Sequence, residues 1–500
     1  MPLADMACFG FAGPKSRDGG IVSLAWGPAS MAEIARPRLN LLTAAQRGAV
    51  HEASLTILAR SGLRLDSARA RDLCRSAGTR VEGDRVYFDR DQVQAAIESA
   101  PAEIQVFDRL GQPAFRLGDG VTRFGSGVTN LWLQDPMTDE LTPFGRADMA
   151  RCVRLCQALP NYDVISTLGV IRDLPPDVAD LYAVLEMVAN SVKPLVILIS
   201  DESLFPKTLA LLDALRGDLG ERPFVIPYLN PVTPLVINEG TSDKLLDSAA
   251  RSIPVIYSNY GMSGMTTPLP CAGALALLNA ELLGGLVLSQ LAKPGAPIIL
   301  GSLPMYFDMK TMIDFYDPQT HLINLACAEL MAGYGIPHAG TSGSGDGWGP
   351  DLLAAGASWM NQVTSAIGQV GLAPFVGSTL NSKAYSPAMT VYGDEVIGAA
   401  RLFARGFSMD PAAIGAEEAI AALAQEGHFL TAPSTLANYR SAYYPSLFPR
   451  IGLEKWVELG RPRADARVRE RARDLLAGAP APEDRDEIVA KGEALIGCRS

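Results

Sequence analysis

Histidine is scarce in this 500-residue sequence: His51, His321, His338 and His428 are all there are, and no two form an H-x-x-x-H pair. That removes the helical two-histidine metal site. The seven cysteines, at 8, 74, 152, 156, 271, 327 and 498, are odd in number and lack paired spacing, so no disulfide framework is expected. Cys152 and Cys156 lie one helical turn apart, but with no histidine nearby they read as two buried helix cysteines rather than ligands. There is no G-x-G-x-x-G or G-x-x-x-x-G-K-[ST] frame to cradle a nucleotide. Positive charge is also in deficit, 43 Lys+Arg against 54 Asp+Glu for a net charge of −11, with no basic stripe, which excludes a nucleic-acid partner. The amino-terminal "MPLADMACFGFAGPKSRDGG" has neither the basic start nor the continuous apolar run of a secretory signal. The longest apolar run, "CAGALALLNAELLGGLVL" from Cys271, carries Asn279 and Glu281 at its centre. Lipid would penalise that charge, so the run is expected to be a buried helix. No membrane association and a cytoplasmic location are therefore expected.

What is abundant is apolar sequence in short pieces. With 48% apolar and 19% charged residues the chain can bury a large core. From about Thr122, eight short apolar runs end in Gly, Ser, Asn or Pro: "TRFGSG", "VISTLG", "PLVILIS", "FVIPYLNP", "PVIYSNYG", "PIILGS", "PHAGTSG" and "PFVGSTL". Most are followed by a stretch with helical spacing. Strands buried on both faces and alternating with helices imply a parallel sheet, and eight of them imply a closed (β/α)8 TIM barrel. Residues 1–115 read as an N-terminal helical and hairpin region, 116–405 as the barrel and 406–500 as a C-terminal helical cap.

Barrel enzymes work at the carboxyl ends of their strands, which confines the search. Those ends offer Arg123, Tyr228, Asn230, Tyr257, Tyr260, Ser302, Tyr306, Phe307, His338, Asp346 and Trp348. Aromatic and neutral polar groups dominate, and no acid–base or nucleophile pair stands out. His338 is the one candidate base, with a structural histidine as its bland alternative. Such a rim suits a quaternary or tertiary ammonium attracted to ring faces, though core packing remains open for any single ring. The stretch "GTSGSGDGWG" (Gly340 to Gly349) crowds five glycines around Asp346 and Trp348. Either a ligand approaches that backbone at Gly343, Gly345 and Gly347, or it is a tight strand-to-helix turn. Asn230 is made rigid by Pro231 and Pro234, and Glu281 either orients a pocket group or caps a buried polar contact.

Three longer stretches carry a resemblance: "YLNPVTPL" (Tyr228 to Leu235), "GMTTPLPCAGALALLNAELLGGLVLSQLAKPGAPIILGS" (Gly264 to Ser302) and "GHFLTAPSTLANYRSAYYPSLFPR" (Gly427 to Arg450). Together with "LTAAQRGAVHEASLTILARSGL" near the amino end, they make the chain resemble the trimethylamine methyltransferase family over nearly its whole length. The resemblance implies a (β/α)8 barrel, a methylated amine as substrate, and methyl transfer to cobalamin, a corrinoid carried by a partner protein over the barrel mouth. It also implies that the glycine turn lets backbone approach the substrate or the corrin ring. Members acting on trimethylamine carry pyrrolysine in the barrel; here every residue is standard, which favours a quaternary amine such as glycine betaine. Arg123, His338 or backbone amides of the glycine turn are then the candidates for a substrate carboxylate. A non-corrinoid acceptor, or a betaine-binding protein without turnover, are the alternatives. Further copies of the chain are expected as partners in a homo-oligomer.

Overall fold

The computed structural model describes residues 34–500 apart from 218, 342–344, 425–426, 442–446 and 498–500. The chain divides into two compact units, one of residues 1–36 with 406–440 and one of 37–405 with 441–500. In the smaller unit, strand Ile34–Ala35 pairs antiparallel with Phe407–Ser408, and short helices follow at Ala416–Leu423 and Pro433–Asn438.

The larger unit is built on eight parallel strands: β1 (Arg123–Ser126), β2 (Val164–Ser166), β3 (Leu195–Ile197), β4 (Val225–Leu229), β5 (Val255–Ser263), β6 (Ile298–Asp308), β7 (His338–Gly340) and β8 (Leu372–Val376). Each pairs with the next, and β8 returns to β1, with Leu372 opposite Arg123, so the sheet closes on itself. All eight fall on the apolar runs of the sequence. Most are only three to five residues long and almost wholly buried, because helices cover them outside and side chains fill them inside.

Inside the bore, Val164, Val196, Ile226, Ile256, Ile299, Ala339 and Leu372 meet in one cluster. Ile104, Val106, Phe115 and Leu117 join them from the hairpin Ile104–Phe107/Pro113–Leu117. Phe107 N–H donates to Pro223 O and Arg109 N–H to Val192 O, both just ahead of a strand. The hairpin therefore plugs the amino ends of the strands, and the carboxyl ends are left as the mouth.

The apolar helix Cys271–Ala292 is long enough and apolar enough to cross a membrane, but here it lies within the core. On one side it meets the barrel wall and on another the N-terminal elements Ala44–Arg60 and Leu63–Leu65. A Cβ on Gly285 would stand 2.2 Å from the Tyr257 ring, and one on Gly284 3.0 Å from Leu63. Neighbouring glycines thus let the helix press against two layers at once. At its centre Asn279 Nδ2 donates to Ser54 Oγ at 2.9 Å and to Tyr334 Oη at 3.1 Å. Cys152 and Cys156 are buried in helix Arg146–Ala158, the latter 3.2 Å from Tyr385 Oη.

The plug predicts a stability effect far from the mouth. Phe115→Ala removes a buried ring from the bore cluster and is expected to lower the unfolding free energy by about 3 kcal/mol. Denaturant titration reads this, and an unchanged midpoint would contradict the plug.

Candidate functional site

The mouth is shaped by two strands that overrun the barrel. β5 and β6 remain paired through nine registers, from Val255↔Ile298 to Ser263↔Tyr306. Beyond the rim β6 turns back on Ile313–Phe315 in an antiparallel arm, with Tyr306 opposite Phe315 and Phe307 opposite Asp314. Side chains alternate along these strands, so one face of the arm continues the bore and the other faces away.

On the bore side the structure gathers Tyr228, Tyr260 and Phe375, with Tyr316 and Asp314 supplied by the arm and Asp346 by the glycine-rich turn. Tyr228 and Phe375 meet edge to face, ring centroids 5.1 Å apart at 80°. Asn230 Nδ2 donates to Ser258 O at 2.7 Å and to Tyr228 Oη at 3.3 Å. Tyr260 Oη donates to Asp314 Oδ2. Burial pushes the Tyr260 phenol well above its ordinary range, and the hydrogen bond to Asp314 and the nearby Tyr316, Asp314 and Tyr228 push the same way. Tyr316 is likewise raised, first by burial and then by Asp346, Tyr228 and Asp314. Tyr228 and Tyr260 pack on the bore cluster, Asp314 is bonded to Tyr260, and Tyr316 and Asp346 border one cavity at its edge. Burial also raises Tyr228 to about 12 and Asp346 to about 6. All three phenols therefore stay protonated at neutral pH. The result is a wall of ring faces edged by carboxylates, the chemistry that attracts a desolvated cation.

Of the residues expected from the sequence, Tyr228, Asn230, Tyr260 and Asp346 reach this space, and Phe307 shares the face of the arm that carries Asp314. Others do not. Tyr257 faces outward, in the core formed with helix Cys271–Ala292. Ser302 is fully buried and pairs in register with Asn259, whose amide donates to Leu278 O of that helix, so it too faces outward. On all-apolar strands the sequence shows no alternation from which to read the face, and both residues are one position out of phase with the bore. Tyr306 lies on the far side of the arm, its hydroxyl 3.0 Å from Gln319 Oε1 and 3.5 Å from Cys271 Sγ. Trp348 is 73% exposed, its ring in solvent rather than in a cage wall.

Two candidates for binding a carboxylate sit at the wrong end. Arg123 opens β1 at the plugged end, paired with Asp119 at 2.5 Å and with its guanidinium 5.5 Å from the Phe115 ring. His338 opens β7, its Nδ1 2.7 Å from Val370 O, and burial pulls its pKa down to about 4. It is neither a cation nor a base at the mouth. The arm residues Tyr316 and Asp314 escape a sequence reading that stops at strand ends; the available signal is two short alternating runs, "MYFD" and "IDFY", separated by four residues, which is a hairpin pattern.

The glycine turn answers to the chain itself. Gly343 lies outside the described residues. Gly345 has φ +107°, and a Cβ there would stand 2.4 Å from Ser382 N. Its N–H donates to Ser378 O and its carbonyl accepts from Asn381 N–H, while Gly347 O accepts from Leu380 N–H. The close approach at Gly345 is thus to the loop after β8 and that at Gly347 to Asp351 and Ala354 at the start of the next helix, where the expectation is substrate or corrin. These contacts fix the segment from which Asp346 projects.

Behind the mouth, Glu281 anchors the β4 loop. Its carboxylate accepts from Thr233 Oγ1 at 2.7 Å and from Leu235 N–H at 2.6 Å. That segment follows Asn230 directly, so the buried acid holds the shelf on which Asn230 and Tyr228 sit.

Gly345→Ala is expected to cost roughly 1–3 kcal/mol, since an L residue is strained at that φ and collides with Ser382; thermal unfolding at matched pH tests it, and an unshifted transition would refute the packing. Burial raises the Glu281 carboxyl from an ordinary 4.5 to about 7. Between those values the folded state keeps a proton that the unfolded state releases, so stability falls as pH rises toward 7 and levels above it. Glu281→Gln should lack that decline when unfolding is measured from pH 5 to 8; parallel profiles for the two proteins would overturn the assignment.

Comparison with known proteins shows the family. The chain is 28% identical over 448 residues to the trimethylamine methyltransferase MttB of Desulfitobacterium hafniense, covering 88% of this chain and 90% of that one. It is 28% identical over 481 residues to a glycine betaine methyltransferase from another strain of that species, covering 93% and 98%. A proline betaine:corrinoid methyltransferase of Eubacterium limosum is 25% identical over 336 residues, covering 64% and 68%. The description of the trimethylamine methyltransferase (MTTB) family matches residues 21–496, and the chain belongs to that family.

Proposed function

We propose that this chain is a methyltransferase that takes a methyl group from a quaternary amine and delivers it to the cobalt of a corrinoid held by a partner protein. The observation that carries the reading is the cage of Tyr228, Tyr260, Tyr316 and Phe375 edged by Asp314 and Asp346, at the open end of a barrel whose other end is plugged. Relatives named for glycine betaine and for proline betaine with a corrinoid support the substrate class and the acceptor.

The chemistry explains why the mouth is poor in acid–base pairs. A quaternary ammonium leaves as a neutral amine, so nothing has to be protonated when its methyl departs. The ring faces replace the water around the cation, and the carboxylates supply the compensating charge. Tyr260, held by Asp314, and Tyr228, held by Asn230, cannot rotate freely, which aligns one methyl along the axis of the open mouth. The corrinoid, as cobalt(I), supplies the nucleophile that accepts this methyl. Exposed apolar residues stand beyond the strand ends, with Met265 and Leu269 in the loop after β5, Met309 and Met312 at the tip of the arm and Leu352 opening the helix after β7. They offer such a partner a surface to cover.

The test is to mix the purified chain with cob(I)alamin and a panel of quaternary amines and follow the cobalt spectrum. Methylcobalamin should form with at least one of them, and Tyr260→Ala should raise KM about tenfold, the loss of one desolvated ring face worth roughly 1–2 kcal/mol. Absence of methylated cobalt with every amine would reject the reading.

A further inference from the structure

Among the described residues, the charged side chains that border the cage and the cavity beside it are acidic, and neither a lysine nor an arginine lines that cavity. Asp314 is bonded to Tyr260 Oη and Asp346 borders the cavity beside Tyr316, and among the described residues neither forms an ion pair with a lysine or arginine. No cation contributes to the perturbation of Tyr228, Tyr260 or Tyr316 either. Arg123 and His338, the basic candidates of the sequence, belong to the plugged end.

Beside the cage, Tyr316 and Asp346 open on a cavity of about 310 Å³ bordered also by His321, Asn361, Leu353 and Met360. Its unpartnered polar atoms are acceptors. His321 is 7% exposed and Asn361 3% exposed, and neither His321 Nδ1 nor Asn361 Oδ1 has a hydrogen-bond partner. The tautomer follows from the network. Thr364 Oγ1 gives its own hydrogen to Met360 O at 2.6 Å, so at 2.6 Å from His321 Nε2 it must accept, which leaves Nδ1 as a bare lone pair. Buried acceptors without donors call for a donor from outside the chain, a water or a ligand group.

Resting on the quaternary-amine reading above, we propose that the substrate is an N-methylated amino alcohol: its ammonium sits among the rings, and its hydroxyl arm extends past Tyr316 toward Asp346 and the side cavity. A betaine in the same pose would bring its carboxylate against Asp346 and Asp314 with no cation to meet it. A hydroxyl instead donates to the acceptors that the cavity offers. Size does not discriminate here, since both arms fit about 310 Å³. Charge does.

Isothermal titration of the full chain at pH 7.5 with choline, tetramethylammonium and glycine betaine decides this, read alongside methyl transfer to cob(I)alamin. Choline is expected to bind at least tenfold more tightly than glycine betaine, with tetramethylammonium between them. Asp346→Asn should weaken choline and strengthen glycine betaine, closing the gap. Glycine betaine binding as tightly as choline in the unmodified protein would overturn the amino-alcohol assignment while leaving methyl transfer intact. Failure of all three to bind or react would remove both readings. Should the variant not fold, the order of affinities in the unmodified protein is sufficient by itself.

Discussion

Closure of the sheet is the constraint on which everything else in the larger unit depends. Eight strands, most of them three to five residues long, have little freedom once β1 is hydrogen-bonded on both edges, to β2 and to β8. Closing removes every exposed edge and fixes which end of each strand faces the mouth. The hairpin Ile104–Phe107/Pro113–Leu117 then fills the amino end with apolar side chains. One opening remains, and polar and aromatic groups that approach it from several strands must share that space.

The mouth stays ordered through contacts made elsewhere. Glu281, in the core helix Cys271–Ala292, fixes the β4 loop through two hydrogen bonds. The glycine-rich turn is bonded to the loop after β8 through the main chain at Gly345 and Gly347. Tyr260 is tied to Asp314 across from its own strand. Each tie replaces a flexible loop by a shelf, so the rings are set before any ligand arrives, and the entropy of ordering them is not charged to binding.

The barrel was legible because a strand covered on both faces must be apolar throughout, and because Pro, Gly or Asn cuts those runs to a length only a strand can use. The same uniformity hid the facing of individual residues. In "PVIYSNYG" nothing distinguishes Tyr257 from Tyr260, yet one packs on Gly285 and the other lines the bore. Position along a short strand is equally obscure in the sequence: His338 and Arg123 each begin their strand, at the end away from the mouth. The density of glycine from Gly340 to Gly349 signals close backbone approach without saying what approaches. The family resemblance gave the chemistry and not the geometry, and it was the arm beyond β6, unremarked in the sequence, that brought the second acid and the third tyrosine.

That arm is a separable piece of design. Its return strand and the residue just after it carry one ring and one carboxylate of the cage, Tyr316 and Asp314, while the barrel beneath is closed without it. Exchanging a dozen residues there would alter charge, aperture and the surface offered to a docking protein in a single stroke, with the eight-stranded frame untouched. Diversification of such a scaffold toward new amines can proceed by swapping an awning rather than rebuilding the house.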